Sequence, residues 1–311
     1  MKETRGMAQL VVLWALLLLG TLAAGFAVSM RTEAQAARNG IESLRAYYQA
    51  RTGISLAAVL LSSASEANPA ATRLEGGNED ASYVVEILGQ GGKININFVS
   101  EDDLLEILKK GGMSDAAAEN LRDAVLDWID ADDLPRPGGA EASEYALLRE
   151  PLTPRNGYLA SIEELRNVAG VTRELYDRFL SRVFTVHGNV SLGKTLQVNA
   201  SEASGMVLGV LPGVSADAIS EIMVKRSEGL KISLTDLADM EARGLLTQKG
   251  RQALSVLSPS RVFEITSTGR AGAGRGVVHT VRCLVSVDGR SGAGSVKVLR
   301  WVDLAARGEE W

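Results

Sequence analysis

Cysteine is almost missing. The 311-residue chain has one, Cys283, so no internal disulfide can form and a disulfide-stapled scaffold is excluded. An oxidising compartment is not excluded by that count. Histidine is nearly as scarce: His187 and His279 are too few and too scattered for a zinc site or a catalytic triad. Neither H-E-x-x-H nor G-x-S-x-G occurs. Aromatics number five Phe, six Tyr and four Trp, so aromatic packing is modest. Positive charge is not in excess; the net charge of −5 gives no reason to expect a nucleic-acid partner. Glycine, at 32 residues, is abundant and points to many turns. The length suggests about two domains and suffices for a hydrophobic core.

The longest apolar run, Met7 to Val28, is broken only by Gln9 and Thr21. As a helix its roughly 22 residues span about 33 Å, enough for a bilayer core. The short flank before it holds Lys2 and Arg5, so the N-terminus is expected in the cytoplasm and the remainder outside it. A cleavable secretory signal is the competing reading, with a weak site at Gly25-Phe26-Ala27. Against it, Ala34, Ala37, Ile41, Leu44 and Tyr48, then Ile54, Ala58 and Leu61, continue an amphipathic helical stripe. No proline precedes Pro69. The spacing predicts one helix over 7–64, its first half in lipid and its second packed on a domain.

Residues 66–82 read as a linker. Tyr83–Leu88 is predicted as a strand, Gly89–Gly92 as a turn and Lys93–Asn97 as a second strand. From Glu101 the pattern is helical, with Gly111-Gly112 between two helices. Weakly similar helix–turn–helix units recur at 160–171, where Ser161 and Glu164 form a capping-box pattern, and at 196–225 around Gly213. After about residue 260 the period changes to two. Val262–Ile265, Val277–Val287 and Val296–Val302 predict three antiparallel strands joined by Gly-rich turns. The expected fold class is α+β: a long N-terminal helix and a small antiparallel sheet (83–97 and 260–304), with a large all-α, SAM-like or helix-hairpin-helix-like insertion at 98–259.

Three segments invite a chemical reading. Asp127, Asp130, Asp132, Asp133, Glu141 and Glu144 cluster on a Pro/Gly-bent loop, a set of hard oxygens suited to Ca²⁺. Leu134 and Pro135 stand where an EF-hand needs a ligand and Gly, so it is no EF-hand; the alternative is an acidic helix end and a solvated loop. Gly188 to Thr195 matches the P-loop pattern, but strand-like sequence follows it where a helix is required, so a hairpin turn is expected. The units around Gly213 resemble helix-hairpin-helix modules, yet Glu202, Asp217, Glu221 and Glu228 lie beside Lys225 and Arg226, and packing is the better reading.

The run Leu126-Asp127-Trp128-Ile129-Asp130-Ala131-Asp132-Asp133-Leu134-Pro135-Arg136-Pro137, with Pro154-Arg155-Asn156-Gly157 and Leu159–Leu165, closely resembles the K-type minor pseudopilins of type II secretion. Arg5-Gly6-Met7 and Leu10–Trp14 are similar to the same family. The resemblance implies a non-enzymatic, pilin-like subunit at the tip of a periplasmic pseudopilus, partnered by minor pseudopilins I and J. It further implies contacts with the major pseudopilin and the inner-membrane assembly platform. Prepilin peptidase would remove residues 1–6 by cutting between Gly6 and Met7, and methylate the new terminus. Most such subunits carry Glu at the fifth mature position, here Val11; without it the chain lacks the carboxylate that neutralises a neighbour's terminus in the membrane, as a tip subunit would. The resemblance also implies calcium, structural in role, in the helical insertion. Two rival expectations are an exported helix-hairpin-helix DNA-binding or DNA-uptake protein, and a periplasmic module binding peptidoglycan or substrate.

Overall fold

The computed structural model describes residues 4–63, 72–188, 196–256, 260–272, 276–288 and 295–304. Helix α1 (Thr4–Ser63) runs unbroken through the predicted anchor and beyond it. Strands β1 (Thr72–Gly77) and β2 (Ala81–Gly89) then form a hairpin. The chain leaves the sheet through a 3₁₀ turn at Gln90–Gly92 and enters the helical insertion. There β3 (Ile94–Asn95) and a second 3₁₀ turn lead to α2 (Glu101–Lys110), α3 (Asp115–Ile129) and α4 (Ala142–Ala146). A 3₁₀ helix at Ile162–Asn167 precedes α5 (Arg173–Leu175), a π turn at Tyr176–Leu180, α6 (Ser181–Val183) and β4 (Phe184–Thr185). Then come β5 (Val198–Asn199), α7 (Gly205–Val210), α8 (Ala216–Ser227), α9 (Leu234–Ala242), α10 (Gln248–Ala253) and β6 (Leu254–Ser255). The chain returns to the sheet as β7 (Val262–Ala271), β8 (Val277–Asp288) and β9 (Ser295–Leu304).

The main sheet is antiparallel in the order β1-β2-β7-β8-β9, so the insertion falls between two strands that are neighbours in space. The three C-terminal strands and the period-two alternation of β8 match expectation. Val281, Cys283 and Val285 are buried against α1, while Arg282 points to the other face. The Gly289–Gly294 turn and most of the P-loop-like segment lie outside the described residues.

The stripe on α1 differs from expectation. Ile41, Leu44 and Tyr48 are exposed, and the face on the sheet is Ala46, Ala50, Gly53, Ile54, Ala57 and Leu61. The reason is distance. A Cβ on Gly269 of β7 would overlap the backbone of Ala46 and Ala50, and one on Gly53 would overlap Ser267 and Val85. Helix and sheet meet through small residues, and larger ones on that side could not fit. Ile54 and Leu61 fill the space further along, each contributing about 1.5–3 kcal/mol by burial.

Three other expectations are corrected. Residues 66–82 are not wholly a linker, because Thr72–Gly77 pairs with β2 as a short polar edge strand. Lys93–Asn97 is not the second arm of a hairpin: Ile94 and Asn95 pair in parallel with β4, and Asn95 caps the following turn by accepting the Asn97 N–H. The strands flanking the P-loop-like segment do not pair with each other either, since β5 joins β6. The insertion has its own core, centred on Ile94, Leu104, Ile107, Leu108, Trp128 and Phe184, separate from the cluster between α1 and the sheet.

Candidate metal centre

Helix α3 carries the acidic cluster into the loop. It ends when Asp130 turns extended, its N–H still reaching Leu126 O at 2.9 Å. Pro135 and Pro137 then bar further helix. Inward, Trp128 packs edge-on against Tyr145 at 5.0 Å, and the Tyr145 hydroxyl accepts the Ala169 N–H. This fixes the loop over a buried floor.

Three of the six carboxylates converge. Asp130, Asp132 and Glu141 each place an oxygen within 4.8 Å of the others. Metal–oxygen distances of about 2.3–2.6 Å let one Ca²⁺ touch oxygens so spaced. Glu141 is 1% exposed; its carboxylate faces the Glu144 N–H across the capping box of α4, but neither of its oxygens, nor Asp130 Oδ1, completes a hydrogen bond of normal geometry. Burial, together with the charges of Asp127, Asp130, Asp133 and Asp132, pushes the Glu141 carboxyl up to about 7. Orphaned oxygens on buried Glu141 and half-buried Asp130, brought close to the exposed Asp132 carboxylate, are what a hard cation would satisfy, so the donor set fits calcium.

The other three are differently placed. Asp127 is fully buried and accepts the Arg136 guanidinium at 2.6 Å and the Arg136 N–H at 3.0 Å. Glu144 caps α4, accepting the Glu141 N–H and the Ser143 hydroxyl, bonds that hold its pKa below the usual range. Asp133 lies 3.5 Å from the Asn156 amide nitrogen. Sequence reasoning missed Arg136. Its Nη1 bridges Asp127 and Asp130, at 2.5 Å from the latter, and supplies an internal cation beside the converging oxygens. A lone arginine between two prolines was the available signal.

At the other end of the molecule, α1 passes through Gly6 and Met7 without a break, and Met7 and Val11 are exposed. The helix is long and apolar enough to cross a membrane, and its most apolar window is not buried in the molecule. Gly213 has φ 72° and packs against Thr247 and Gly250, and its carbonyl accepts the Thr247 N–H. Nearby cations are engaged, Lys225 with Asp236 and Arg243 with Glu221.

A long helix laid on a small antiparallel sheet, with a helical domain set between strands, defines a pilin-like α+β protein. Residues 92–187 match the family model described as "Type II secretion system (T2SS), protein K". The chain is 43% identical over 77 residues to type II secretion system protein K of Pectobacterium carotovorum subsp. carotovorum, covering 25% of this chain and 24% of that one. It is 28% identical over 204 residues to putative type II secretion system protein K of Escherichia coli (strain K12), covering 58% and 62%. In both, the match spans less than two thirds of the relative's length. A chain of the GspK-GspI-GspJ complex from the enterotoxigenic Escherichia coli type 2 secretion system shares the fold, with a TM-score of 0.55 at 18% identity over 90% of this chain and 99% of that one. Residues 92–187 are therefore similar to type II secretion system protein K, and the run from Leu126 to Pro137 lies within that match.

Proposed function

We propose that the chain is a non-enzymatic minor pseudopilin, seated at the tip of a type II secretion pseudopilus and assembling with minor pseudopilins I and J. The observation that carries this reading is α1: one continuous helix, with an apolar first half free of contacts, whose last third bears a pilin-like sheet and a bulky insertion. Hydrophobic helices pack side by side in and above the membrane, while the insertion blocks addition ahead of it. Val11 brings no carboxylate to that position, so no neighbour's amino terminus is neutralised there. The solved relative named for a GspK-GspI-GspJ complex supports the choice of partners. Membrane topology follows from Lys2 and Arg5, with the head in the periplasm. We further propose that Asp130, Asp132 and Glu141 hold a structural Ca²⁺.

The test is the mature N-terminal peptide, read by mass spectrometry from cells with and without prepilin peptidase. A methylated Met7 terminus seen only with the peptidase is expected. A peptidase-independent start near Val28 would mean a released soluble protein and end the tip model.

A further inference from the structure

The insertion is joined to the sheet at two crossings, outward through Gly89–Gly92 and back through Ser260 into β7. Both meet at one buried carboxyl. Glu202, in the turn between β5 and α7, is 8% exposed. Its Oε1 accepts the Ser260 N–H at 3.0 Å and the Asn199 amide at 3.2 Å. Its Oε2 pairs with the Ser260 hydroxyl, and that hydroxyl oxygen in turn accepts the Gly91 N–H at 2.6 Å. One relay thus links the outgoing chain, the returning chain and the insertion. Space there is tight: a Cβ on Gly89 would overlap Oε2, and one on Gly92 would lie 2.6 Å from the Glu202 carbonyl carbon.

We propose that Glu202 is a protonation-controlled latch on this junction: neutral, with its proton on Oε2 and donated to Ser260 Oγ, it holds the two crossings closed on the insertion; ionised, it favours an opened junction in which water reaches the carboxylate. Closing the junction strips water from Glu202 without giving it an ion pair. Arg226 of α8 is the charged side chain that acts on it, but its guanidinium donates to the Ala203 carbonyl and to no Glu202 oxygen among the described bonds. Burial pushes the Glu202 carboxyl up, more than the Ser260 hydrogen bonds and Arg226 bring it down. A carboxyl whose pKa is raised in the closed form stabilises that form fully below the open-form pKa. This stabilisation is lost as pH rises through the closed-form pKa. The contact of Arg300 on β9 with Glu163 ties the insertion to the sheet elsewhere, so release loosens the insertion without freeing it.

Hydrogen exchange of the full chain in detergent micelles tests this between about pH 5 and about pH 8. Protection factors at the Gly91 and Ser260 amides should fall by up to about tenfold per pH unit between the open-form and closed-form pKa values, then level off. In Glu202→Gln, which is neutral at every pH, they should stay at the acid wild-type level. Flat wild-type protection, or a variant that follows the wild-type curve, overturns the proposal. Should the variant fail to fold, spin labels at Ser227→Cys and Lys297→Cys in the otherwise native chain decide it. A distance distribution that broadens as pH rises supports the latch, and an unchanged one rejects it.

Discussion

Glu141 has no partner for either oxygen, so its ionised form is costly unless a cation arrives. In chelator at about pH 8, Glu141→Gln should therefore melt at least as high as wild type by calorimetry, because it removes an unpaired buried charge. Added Ca²⁺ should raise the wild-type Tm by several degrees and leave Glu141→Gln nearly unmoved. An equal Ca²⁺ shift in both proteins would remove Glu141 from the ligand set. Arg136→Ala should cost about 3 kcal/mol or more, since it strands buried Asp127; denaturant titration measures this. The density of acids between Asp127 and Glu144 was plain in the sequence. Which of them converge was not, because that depends on Arg136 claiming Asp127 and on Glu144 turning back to cap α4. Both are choices of rotamer and loop path that leave little trace in residue order.

The contact of α1 with the sheet depends on side-chain size more than on hydrophobicity. Glycine inside a helix is normally about 1 kcal/mol worse than alanine. Gly40→Ala, where nothing lies within 4 Å, should stabilise the chain by up to that amount. Gly53→Val should do the reverse, losing about 1–3 kcal/mol as it drives α1 off Ser267 and Val85. Urea titration of the two variants gives opposite signs if the seam is as described. The sequence showed α1, its length and the last three strands, since each repeats a strong period. It misled on the packing face, because Ile41, Leu44 and Tyr48 are more hydrophobic than Ala46 and Ala50 yet too large for the approach. It hid β1, whose Thr-Arg-Leu-Glu-Gly-Gly has little β character and borrows its order from β2. It misassigned β3, whose partner lies about 90 residues on. The opposite edge, β9, is blunted by Lys297, Arg300 and a bulge near Leu284 and Val285, devices that discourage further strand pairing.

For the whole molecule, topology is the prediction to check. In spheroplasts, protease added outside should remove the sheet and insertion and leave the apolar part of α1 protected by the membrane; an intact chain would place the head in the cytoplasm. Within the head, the two cores, joined at the chain crossings and through Arg300 and Glu163, carry different loads. The sheet buries α1 from Ala46 onward, with Glu42 beside Gly272, and the described side chains of α1 before Glu42 are exposed. That helix is 60 residues without an interruption, about 90 Å of stiff rod. Elements of this length without a proline or a bulge bend gently and do not fold back. A push at the membrane end is therefore delivered to the head with little loss, and the head travels as far as its foot does.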